Sequence, residues 1–377
     1  MTDWSRIVRP SLIGLEPYRP GPSLEELQEA HGLDEIVKLN WNEGLEGPFP
    51  GVREEVLAEL ERAWIYPAEA YTDLRESVAA WVGATPDQIV PAHGIQALVA
   101  MVVHAFVEPG DAVVLTTPTY GLYATTSAAA GARLVRVPSR DLRHDVVALA
   151  AAAREADARL VWLCDPNNPT GSHVTHDEWE TLLAGLPERC AVVVDEAYVE
   201  YVDPALRLER LRDVEAGRPV ILMRTFSKIF ALAGLRLGYA VVDRPLVDML
   251  DVVLEPFNVN RAALAAGRAS LRRLELVEER RRANEEGRER LAEILRETGA
   301  KPYPSQANFL LVDVGVDDVA LTDGLVRRGF LVRAGSEFGL GGCVRITTGP
   351  APLMERAARE VADVRGELLE PSAALEA

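Results

Sequence analysis

The sequence predicts an α/β fold in which a mostly parallel central sheet forms a large domain and a smaller α+β domain follows it. Short, continuously apolar segments, such as Leu160–Cys164 and 220–223, are typical of strands buried on both faces of a parallel sheet. Helical segments such as Val146–Glu155 lie between most of these strands, which is the alternation expected of βα units. Around Asn258 the alternation ends, and the segments that follow indicate a separate α+β unit.

The individual elements follow from periodicity and from terminal signals. Ser23 and Glu26 have the spacing of a capping box and predict the start of a short helix. Helices are predicted over residues 52–62, 74–81, 95–106, 146–155, 177–184, 321–328 and 351–367. Strands are predicted over residues 36–39, 89–90, 112–115, 133–137, 160–164, 191–194, 220–223, 239–242, 308–314, 330–333 and 343–347. The stretch 262–297, rich in arginine, glutamate and leucine, predicts one or two exposed helices.

The chain has 377 residues, which is too long for one ordinary hydrophobic core and predicts two domains. Residues 1–45 are rich in proline and charge, and we expect them to form an arm and part of the small domain. Residues 46–258 then form the large, ligand-binding domain, and residues 259–377 form the small C-terminal domain.

Charge and composition exclude several classes of partner. The net charge of −18 argues against nucleic acid or an anionic membrane as a partner, and any anionic ligand would need a local cationic pocket. The N-terminus lacks the apolar core of a signal peptide, and the longest apolar run, 97–107, is too short to span a bilayer. We therefore expect a cytoplasmic protein.

The sequence offers no convincing metal site. Cys164, Cys190 and Cys343 lie far apart in apolar surroundings, which argues against a disulfide framework or a zinc site and predicts small buried side chains. His173 and His176 are three residues apart, but the other ligands that a metal would need are missing nearby. We expect no metal.

Polar residues follow several of the predicted strands, at the edge where ligands bind in open parallel sheets. Tyr120, Asn168 and Asp195 follow three of these strands, and Tyr198 lies three residues after Asp195. A fourth strand leads to the hydroxyl residues Thr225 and Ser227 and then to Lys228. In addition, Gly94, Ile95 and Gln96 stand at a helix start, where free backbone N–H groups can bind an anion.

Lys228 is the residue around which this chemistry would be organised. Most lysines are solvated loop residues, and Lys228 by itself could be one of them. A lysine that is partly desolvated near another cation, such as Arg236 eight residues later, has a lowered pKa and becomes a nucleophile toward carbonyl groups. Pyridoxal 5′-phosphate needs such an amine together with a carboxylate, ring-oxygen donors and a phosphate site, so the joint pattern predicts this cofactor.

The chain resembles the class I/II aminotransferases of fold type I and, among them, the histidinol-phosphate aminotransferases. The resemblance runs from about Pro17 to Arg365. Its blocks are Pro17-Tyr18-Arg19-Pro20-Gly21, Asn42-Glu43 with Gly47-Pro48, Tyr66-Pro67, Pro118-Thr119-Tyr120-Gly121, Asn167-Asn168-Pro169-Thr170-Gly171, Asp195-Glu196-Ala197-Tyr198, residues 224–236, Asn308-Phe309 and Val344-Arg345-Ile346-Thr347.

The resemblance implies a role for each matching residue around the cofactor ring. Lys228 would form the Schiff base and act as the base that moves the proton, and Asp195 would pair with the pyridine nitrogen. Tyr198 and Asn168 would hydrogen-bond the ring oxygen, and Tyr120 would stack on the ring.

The resemblance also implies a phosphate site and a substrate site. The phosphate would be held by Thr225, Ser227, Arg236 and the amides of Ile95 and Gln96, after Gly94. Tyr66 would reach the same phosphate from the other subunit of a homodimer. Arg345 would bind the anionic group of the substrate, beside Asn168, while Tyr18 and Arg333 would contact its distal part.

Three departures from the family pattern bear on the substrate. Gly44 and Leu45 replace the usual residues after Asn42-Glu43, Ile95 and Gln96 follow Gly94, and Glu337 lies close to Arg333. The implied reaction converts L-histidinol phosphate and 2-oxoglutarate into imidazole-acetol phosphate and glutamate. The alternatives are an aromatic or other amino-acid aminotransferase, a lyase similar to threonine-phosphate decarboxylase, and a cofactor-binding module without turnover.

Overall fold

The computed structural model describes residues 1–17, 21–68 and 70–370. Its helices are α1 (Leu24–His31), α2 (Val52–Leu60), α3 (Thr72–Val82), α4 (Ile95–Phe106), α5 (Leu122–Ala129), α6 (Val146–Glu155), α7 (His176–Ala184), α8 (Leu211–Glu215), α9 (Arg244–Val253), α10 (Arg261–Leu271), α11 (Glu275–Glu297), α12 (Asp318–Arg327) and α13 (Ala351–Leu369). Its strands are β1 (Val37–Lys38), β2 (Ile89–Ala92), β3 (Ala112–Thr117), β4 (Arg133–Pro138), β5 (Leu160–Cys164), β6 (Ala191–Asp195), β7 (Val220–Thr225), β8 (Gly238–Val241), β9 (Lys301–Pro302), β10 (Phe309–Asp313), β11 (Phe330–Leu331), β12 (Arg333–Ala334) and β13 (Cys343–Thr347).

The central sheet has seven strands in the order β2-β8-β7-β6-β5-β3-β4. Strands β3 to β7 are parallel to one another, and β8 pairs antiparallel with both β7 and β2. Every residue of β5 and β6 is buried, because apolar side chains on both faces of these strands pack into the large core. This sheet confirms the mostly parallel α/β architecture predicted from the alternation of apolar strands and helices.

The register of the sheet decides which strand ends meet. Asp195, the last residue of β6, lies opposite Cys164 of β5 on one side and Met223 of β7 on the other. Because β5, β6 and β7 are parallel, the loops that follow them leave from the same edge. The loop carrying Asn168 and the loop carrying Lys228 therefore flank Asp195.

A second, smaller core lies under an antiparallel sheet of four strands in the order β12-β13-β10-β9. Buried residues of α11, α12 and α13 contribute to this core, and Leu39 joins them from the N-terminal part of the chain. Residues 37–38 also pair parallel with 330–331, so the N-terminal segment is tied to the second unit by backbone hydrogen bonds. The domain limits 1–45, 46–258 and 259–377 stay a prediction.

The stretch 262–297 forms two helices, α10 and α11, and the expectation that both are exposed is wrong for α10. Most of its alanine-rich length is buried, and Gly267 packs so closely that an added Cβ would lie 2.6 Å from the Leu237 side chain. Small residues allow this close packing, whereas the charged α11 keeps an exposed face. Helices α5, α8 and α9 were not predicted.

The three cysteines are free and buried, as predicted. The described ranges contain no cluster of three or more histidine, cysteine or acidic side chains that could hold a metal ion. Within the same ranges, no helix combines the length and the apolar character needed to cross a membrane.

Candidate active site

The amine of Lys228 lies at the carboxyl edge of the central sheet, three residues beyond the end of β7. Its Nζ donates a hydrogen bond to the carbonyl oxygen of Trp41 at 2.9 Å and lies 5.6 Å from the centre of the Tyr198 ring. The loop that carries Lys228 follows β7, a buried strand that pairs with β6, and this attachment fixes the position of the amine.

The surroundings of Lys228 favour the neutral amine. Burial of the side chain, together with the positive charges of Arg345 and Arg236, lowers its pKa to about 8, although Glu43 and Asp195 act in the opposite direction. At neutral pH an appreciable fraction of the amine is therefore unprotonated and able to attack a carbonyl carbon.

Asp195 is the buried acid of the site, with only 3% of its surface exposed. Its Oδ2 accepts a hydrogen bond from the hydroxyl of Tyr123 at 2.5 Å, and its Oδ1 accepts one from the backbone N–H of Ala197 at 3.0 Å. Burial raises the pKa of Asp195 to about 6, while these two hydrogen bonds and the charge of Lys228 lower it. The carboxylate is thus ionised at neutral pH and available to a cationic partner.

Tyr198 lies beside the lysine, and both Tyr198 and Asn168 form hydrogen bonds with residues from distant segments of the chain. The Tyr198 hydroxyl accepts a hydrogen bond from Asn42 Nδ2 at 3.1 Å, and its ring packs edge-on against Phe309 at 5.1 Å. Asn168 Oδ1 accepts a hydrogen bond from Arg345 Nη1 at 2.5 Å. Residues from the loops after β5 and β6, from β13 and from the N-terminal segment thereby converge on one site.

An anion cradle lies at the N-terminus of α4. Gly94 has φ +95°, a backbone conformation that favours glycine, and an added Cβ would lie 2.9 Å from Arg236 Nη2 and displace that guanidinium group. Arg236 Nη2 donates to Gln96 Oε1 at 3.2 Å. The amides of Ile95 and Gln96 belong to the first turn of α4, whose N–H groups have no acceptor within the helix.

Hydroxyl groups complete this cradle. The Thr225 hydroxyl donates to Ser227 Oγ at 3.0 Å, and the backbone N–H of Ser227 donates to Thr225 Oγ1 at 3.0 Å. Arg236 itself has φ +55°, a conformation that non-glycine residues adopt rarely and mostly where function constrains the backbone. The cradle offers amides, hydroxyls and a guanidinium to one anion.

Aromatic side chains form one wall of the site. Tyr120 lies just before α5, and its hydroxyl accepts a hydrogen bond from Gln96 Nε2 at 3.3 Å. Its ring meets the Tyr123 ring edge-on at 5.4 Å, and Tyr123 stacks on Trp162 at 4.8 Å with an angle of 4° between the rings. The wall therefore runs from the anion cradle to the acid Asp195.

Two arginines define a second subsite that can bind an anion. Arg345 is buried, and in addition to Asn168 it contacts the carbonyl oxygen of Asn40. Arg333 pairs with Arg345 across β12 and β13, and both guanidinium groups lie over the Phe338 ring, at 5.9 and 5.1 Å. Arg333 Nη2 forms an ion pair with Glu337 Oε2 at 2.6 Å.

One predicted residue, Tyr66, does not join this site within the single chain. Tyr66 is 76% exposed, and it stacks on Phe257 at 4.7 Å while its carbonyl accepts a hydrogen bond from Arg261. Tyr18 lies outside the described residues.

Two residues of the site, Asn42 and Tyr123, were not assigned a role from the sequence, although each lies in or close to a motif of the family resemblance. Asn42 belongs to the Asn42-Glu43 block, and its side chain donates to Tyr198. Tyr123 follows Tyr120 by three residues, and this short separation from a residue expected at the cofactor ring was the available signal.

A family model described as aminotransferase class I and II matches residues 34–361 of the chain. The histidinol-phosphate aminotransferase of Geobacillus thermodenitrificans is 38% identical over 342 residues, which cover 91% of this chain and 93% of that protein. The histidinol-phosphate aminotransferase of Halalkalibacterium halodurans is 34% identical over 362 residues, which cover 96% of this chain and 98% of that protein.

Solved structures show the same similarity in three dimensions. The crystal structure of histidinol-phosphate aminotransferase from Sinorhizobium meliloti, in complex with pyridoxal-5′-phosphate, has a TM-score of 0.88 at 31% identity, with 96% of this chain and 98% of that chain covered. Aspartate aminotransferase from Thermus thermophilus with maleate has a TM-score of 0.77 at 22% identity, with 95% and 99% covered, which shows a shared fold.

Proposed function

Because this chain belongs to the class I and II aminotransferases, we propose that it transfers an amino group from L-histidinol phosphate to 2-oxoglutarate, giving imidazole-acetol phosphate and glutamate. Family membership confirms the fold-type I architecture and the transaminase activity that the sequence resemblance implied. The observation that carries the proposal is the convergence of an amine, Lys228, a buried acid, Asp195, and an anion cradle at Gly94 on one edge of the sheet.

Pyridoxal 5′-phosphate is the cofactor of this family, and the residues present fit its three parts. Lys228 offers an amine of lowered pKa to its carbonyl group, and Asp195 offers an anion to its ring nitrogen. Gly94 leaves space beside Arg236 for its phosphate, which a side chain at position 94 would fill. When bound, the cofactor supplies an electron sink for the electron pair left by removal of a proton from the substrate carbon.

Lys228 Nζ is the group that takes up and returns the proton during transfer. Its pKa of about 8, lowered by burial and by the charge of Arg345, lies close to the operating pH, where an acid–base group is most effective. The carbonyl oxygen of Trp41 and the Tyr198 ring hold the amine in place between proton transfers.

Asp195, Tyr198 and Asn168 set the electrostatics around the ring. Asp195 would keep the ring nitrogen protonated, because a buried carboxylate stabilises a cation much more strongly than water does. Tyr198 and Asn168 would donate to the ring oxygen. Each has a second fixed contact, with Asn42 and Arg345 respectively, and these contacts restrict their orientation.

Arg345 would bind the carboxylate of 2-oxoglutarate or glutamate. It is buried and therefore little screened by water, so its attraction for an anion is strong within a chain whose net charge is −18. Fixed contacts with Asn168 and with Asn40 present the guanidinium in one orientation. Bidentate recognition of a carboxylate depends on such an orientation.

Arg333 would contact the phosphate of the substrate, because it lies next to Arg345 across β12 and β13 and both guanidinium groups lie over the Phe338 ring. Without substrate, the charge of Arg333 is neutralised by Glu337, because their side chains form an ion pair at 2.6 Å. Glu337 is nearly half exposed, so an incoming phosphate can displace it at a modest energetic cost. Tyr18 would contribute to the same subsite, in a part of the chain outside the described residues.

We also propose a homodimer in which Tyr66 reaches the cofactor phosphate in the partner subunit's site. The side chains around Tyr66 are apolar and exposed, which is typical of an interface. They are Leu57, Leu60, Trp64, Ile65 and Phe257. We expect Lys228→Ala and Tyr66→Ala to lose activity when each is alone and to regain it when mixed, because hybrid dimers contain one intact site. Absence of restoration after subunit exchange would contradict shared sites.

The reaction is tested by supplying the protein and cofactor with L-histidinol phosphate and 2-oxoglutarate and by measuring glutamate formation. Glutamate formation that is much faster than with phenylalanine or tyrosine as donor supports the proposal, and the reverse order indicates an aromatic aminotransferase. Carbon dioxide released from threonine phosphate without glutamate formation indicates a decarboxylase. No turnover with any amine indicates a cofactor-binding module. The cytoplasmic location stays a prediction.

A further inference from the structure

The hydroxyl of Tyr123 makes the shortest described contact to the buried acid. It lies 2.5 Å from Asp195 Oδ2, and the Tyr123 side chain is completely buried. An ionised carboxylate accepts hydrogen bonds and cannot donate them, so the phenol must be the donor. Burial and the nearby Asp195 charge raise the pKa of Tyr123 well above its ordinary value, and the phenol therefore keeps its proton throughout the working pH range.

The position of this hydroxyl is fixed by two aromatic contacts of the Tyr123 ring. Trp162 of β5 stacks parallel to the Tyr123 ring, and Tyr120 meets it edge-on. Tyr123 is in the first turn of α5, which begins directly after Tyr120 and Gly121. A single short segment thus carries both the side chain that stacks on the cofactor ring and the donor to the acid.

We propose that Tyr123 is a positioning residue of the transamination site, whose hydroxyl orients Asp195 and stabilises its ionised form for pairing with the ring nitrogen of the cofactor. This inference rests on the proposed cofactor site, but it does not depend on which amino donor the enzyme uses. Ala197 N–H holds the other carboxylate oxygen, so the two donors together determine the plane of the carboxylate.

The balance of charges around Asp195 explains why such a donor is needed. Burial acts against the carboxylate, and without compensation it would become protonated at neutral pH and lose its attraction for a cation. The titratable groups that face Asp195 are Tyr123 on α5, Cys164 at the end of β5, Glu196 and Tyr198 in the loop after β6, and Lys228 after β7. Of these, Tyr123 donates a hydrogen bond directly to it.

The direct test is the pKa of Asp195 in the cofactor-free protein, measured by carbon NMR of labelled aspartate and assigned with Asp195→Asn. Loss of a hydrogen bond to a charged group in Tyr123→Phe should raise this pKa by on the order of one unit or more. The affinity for pyridoxal 5′-phosphate should fall roughly tenfold, and the acidic limb of the pH–rate profile should move to higher pH. An unchanged pKa in a folded Tyr123→Phe protein would overturn the proposal.

Two further variants separate this role from a structural one. Tyr239→Phe removes another buried hydroxyl, from β8, where Tyr239 lies opposite Arg224 of β7, and it should leave the pKa of Asp195 unchanged. Incorporation of 3-fluorotyrosine at position 123 keeps the ring but makes the phenol a stronger donor, so it should lower the pKa of Asp195. A shift in the opposite direction would refute the proposal even if Tyr123→Phe fails to fold. Because these pKa values are measured without cofactor or substrate, a failure here is distinct from a failure of the proposed reaction.

Discussion

Gly44 lies against the backbone of Lys228. An added Cβ at position 44 would lie 2.7 Å from the carbonyl oxygen of Lys228 and 2.7 Å from the Cβ of Ala231. The N-terminal segment therefore packs directly on the loop that carries the reactive amine, and the neighbouring residue Trp41 supplies the hydrogen-bond acceptor for that amine.

We expect Gly44→Ala to lower turnover severalfold or more, because the methyl group displaces the Lys228 loop from its packed position. Stability should also fall, by about 1–3 kcal/mol, which is typical of overpacking. Gly366→Ala is the matched control, since an added Cβ there meets nothing within 4 Å. Steady-state kinetics and urea unfolding of both variants test this, and wild-type turnover in a folded Gly44→Ala protein would contradict the close packing.

The lowered pKa of Lys228 predicts its reactivity without any cofactor. Only the neutral amine is a nucleophile, so the rate of acetylation should rise with pH. It should reach half of its maximum at a pH of about 8, because burial and Arg345 lower the pKa of Lys228 to that value. The chain has three lysines, Lys38, Lys228 and Lys301, so peptide mass spectrometry can follow each one. The exposed Lys301 provides an internal reference. A Lys228 profile that coincides with that of Lys301 would argue against the lowered pKa.

Glu337 should act against binding of a phosphorylated substrate, because it competes with the phosphate for Arg333. Glu337→Gln removes this competition and should lower the KM for L-histidinol phosphate by about two- to fivefold, the range expected for a half-exposed ion pair. The KM for unphosphorylated L-histidinol, measured in parallel, should change little. Equal changes for both donors would show that Glu337 has no specific relation to the phosphate.

Arg210 bridges two buried carboxylates behind the site. It contacts Asp165 Oδ2 and donates to Glu196 Oε1 at 2.9 Å, and all three side chains are almost completely buried. Arg210→Met should therefore cost about 3–5 kcal/mol of unfolding free energy, since two buried carboxylates each lose a charged partner and retain only Arg224, for Glu196, and His173, for Asp165. Arg212→Met is the matched control, because Arg212 pairs with Glu209 on the exposed surface and such pairs contribute about 0–1 kcal/mol.

The pH dependence of stability distinguishes this network from simple packing. Burial alone would raise the pKa of Asp165, but the Arg210 charge and the His173 hydrogen bond outweigh it and hold this pKa well below its usual range. The stability from Asp165 is therefore present above the ordinary aspartate pKa and is lost as pH falls toward the lowered value. In Arg210→Met the folded-state pKa of Asp165 rises, because burial is then opposed by the His173 hydrogen bond without the Arg210 charge, so this loss of stability on acidification should become smaller or reverse. Parallel urea midpoints for wild type and Arg210→Met across the acidic range would contradict this.

The predictable part of the site consists of residues whose position depends on local pattern. Asp195 and Lys228 each follow a continuously apolar strand, and the rule that parallel strands end at the same edge was sufficient to bring them together. Gly94 was predictable as the start of the helix Ile95–Phe106. Tyr123 escaped prediction because α5 was not recognised and because its partner, Asp195, lies 72 residues away along the chain.

Most of the apolar strands, most of the helices and the polar residues after the strands could be predicted from the sequence alone, because hydrophobic periodicity and terminal signals act between neighbouring residues. Only the tertiary structure showed that Gly44 packs on the loop that carries Lys228, that Tyr123 donates a hydrogen bond to Asp195, and that Glu337 forms an ion pair with Arg333. These contacts depend on distances of a few ångströms between segments far apart in the chain, which are set only when the sheet register and the packing of both cores are complete.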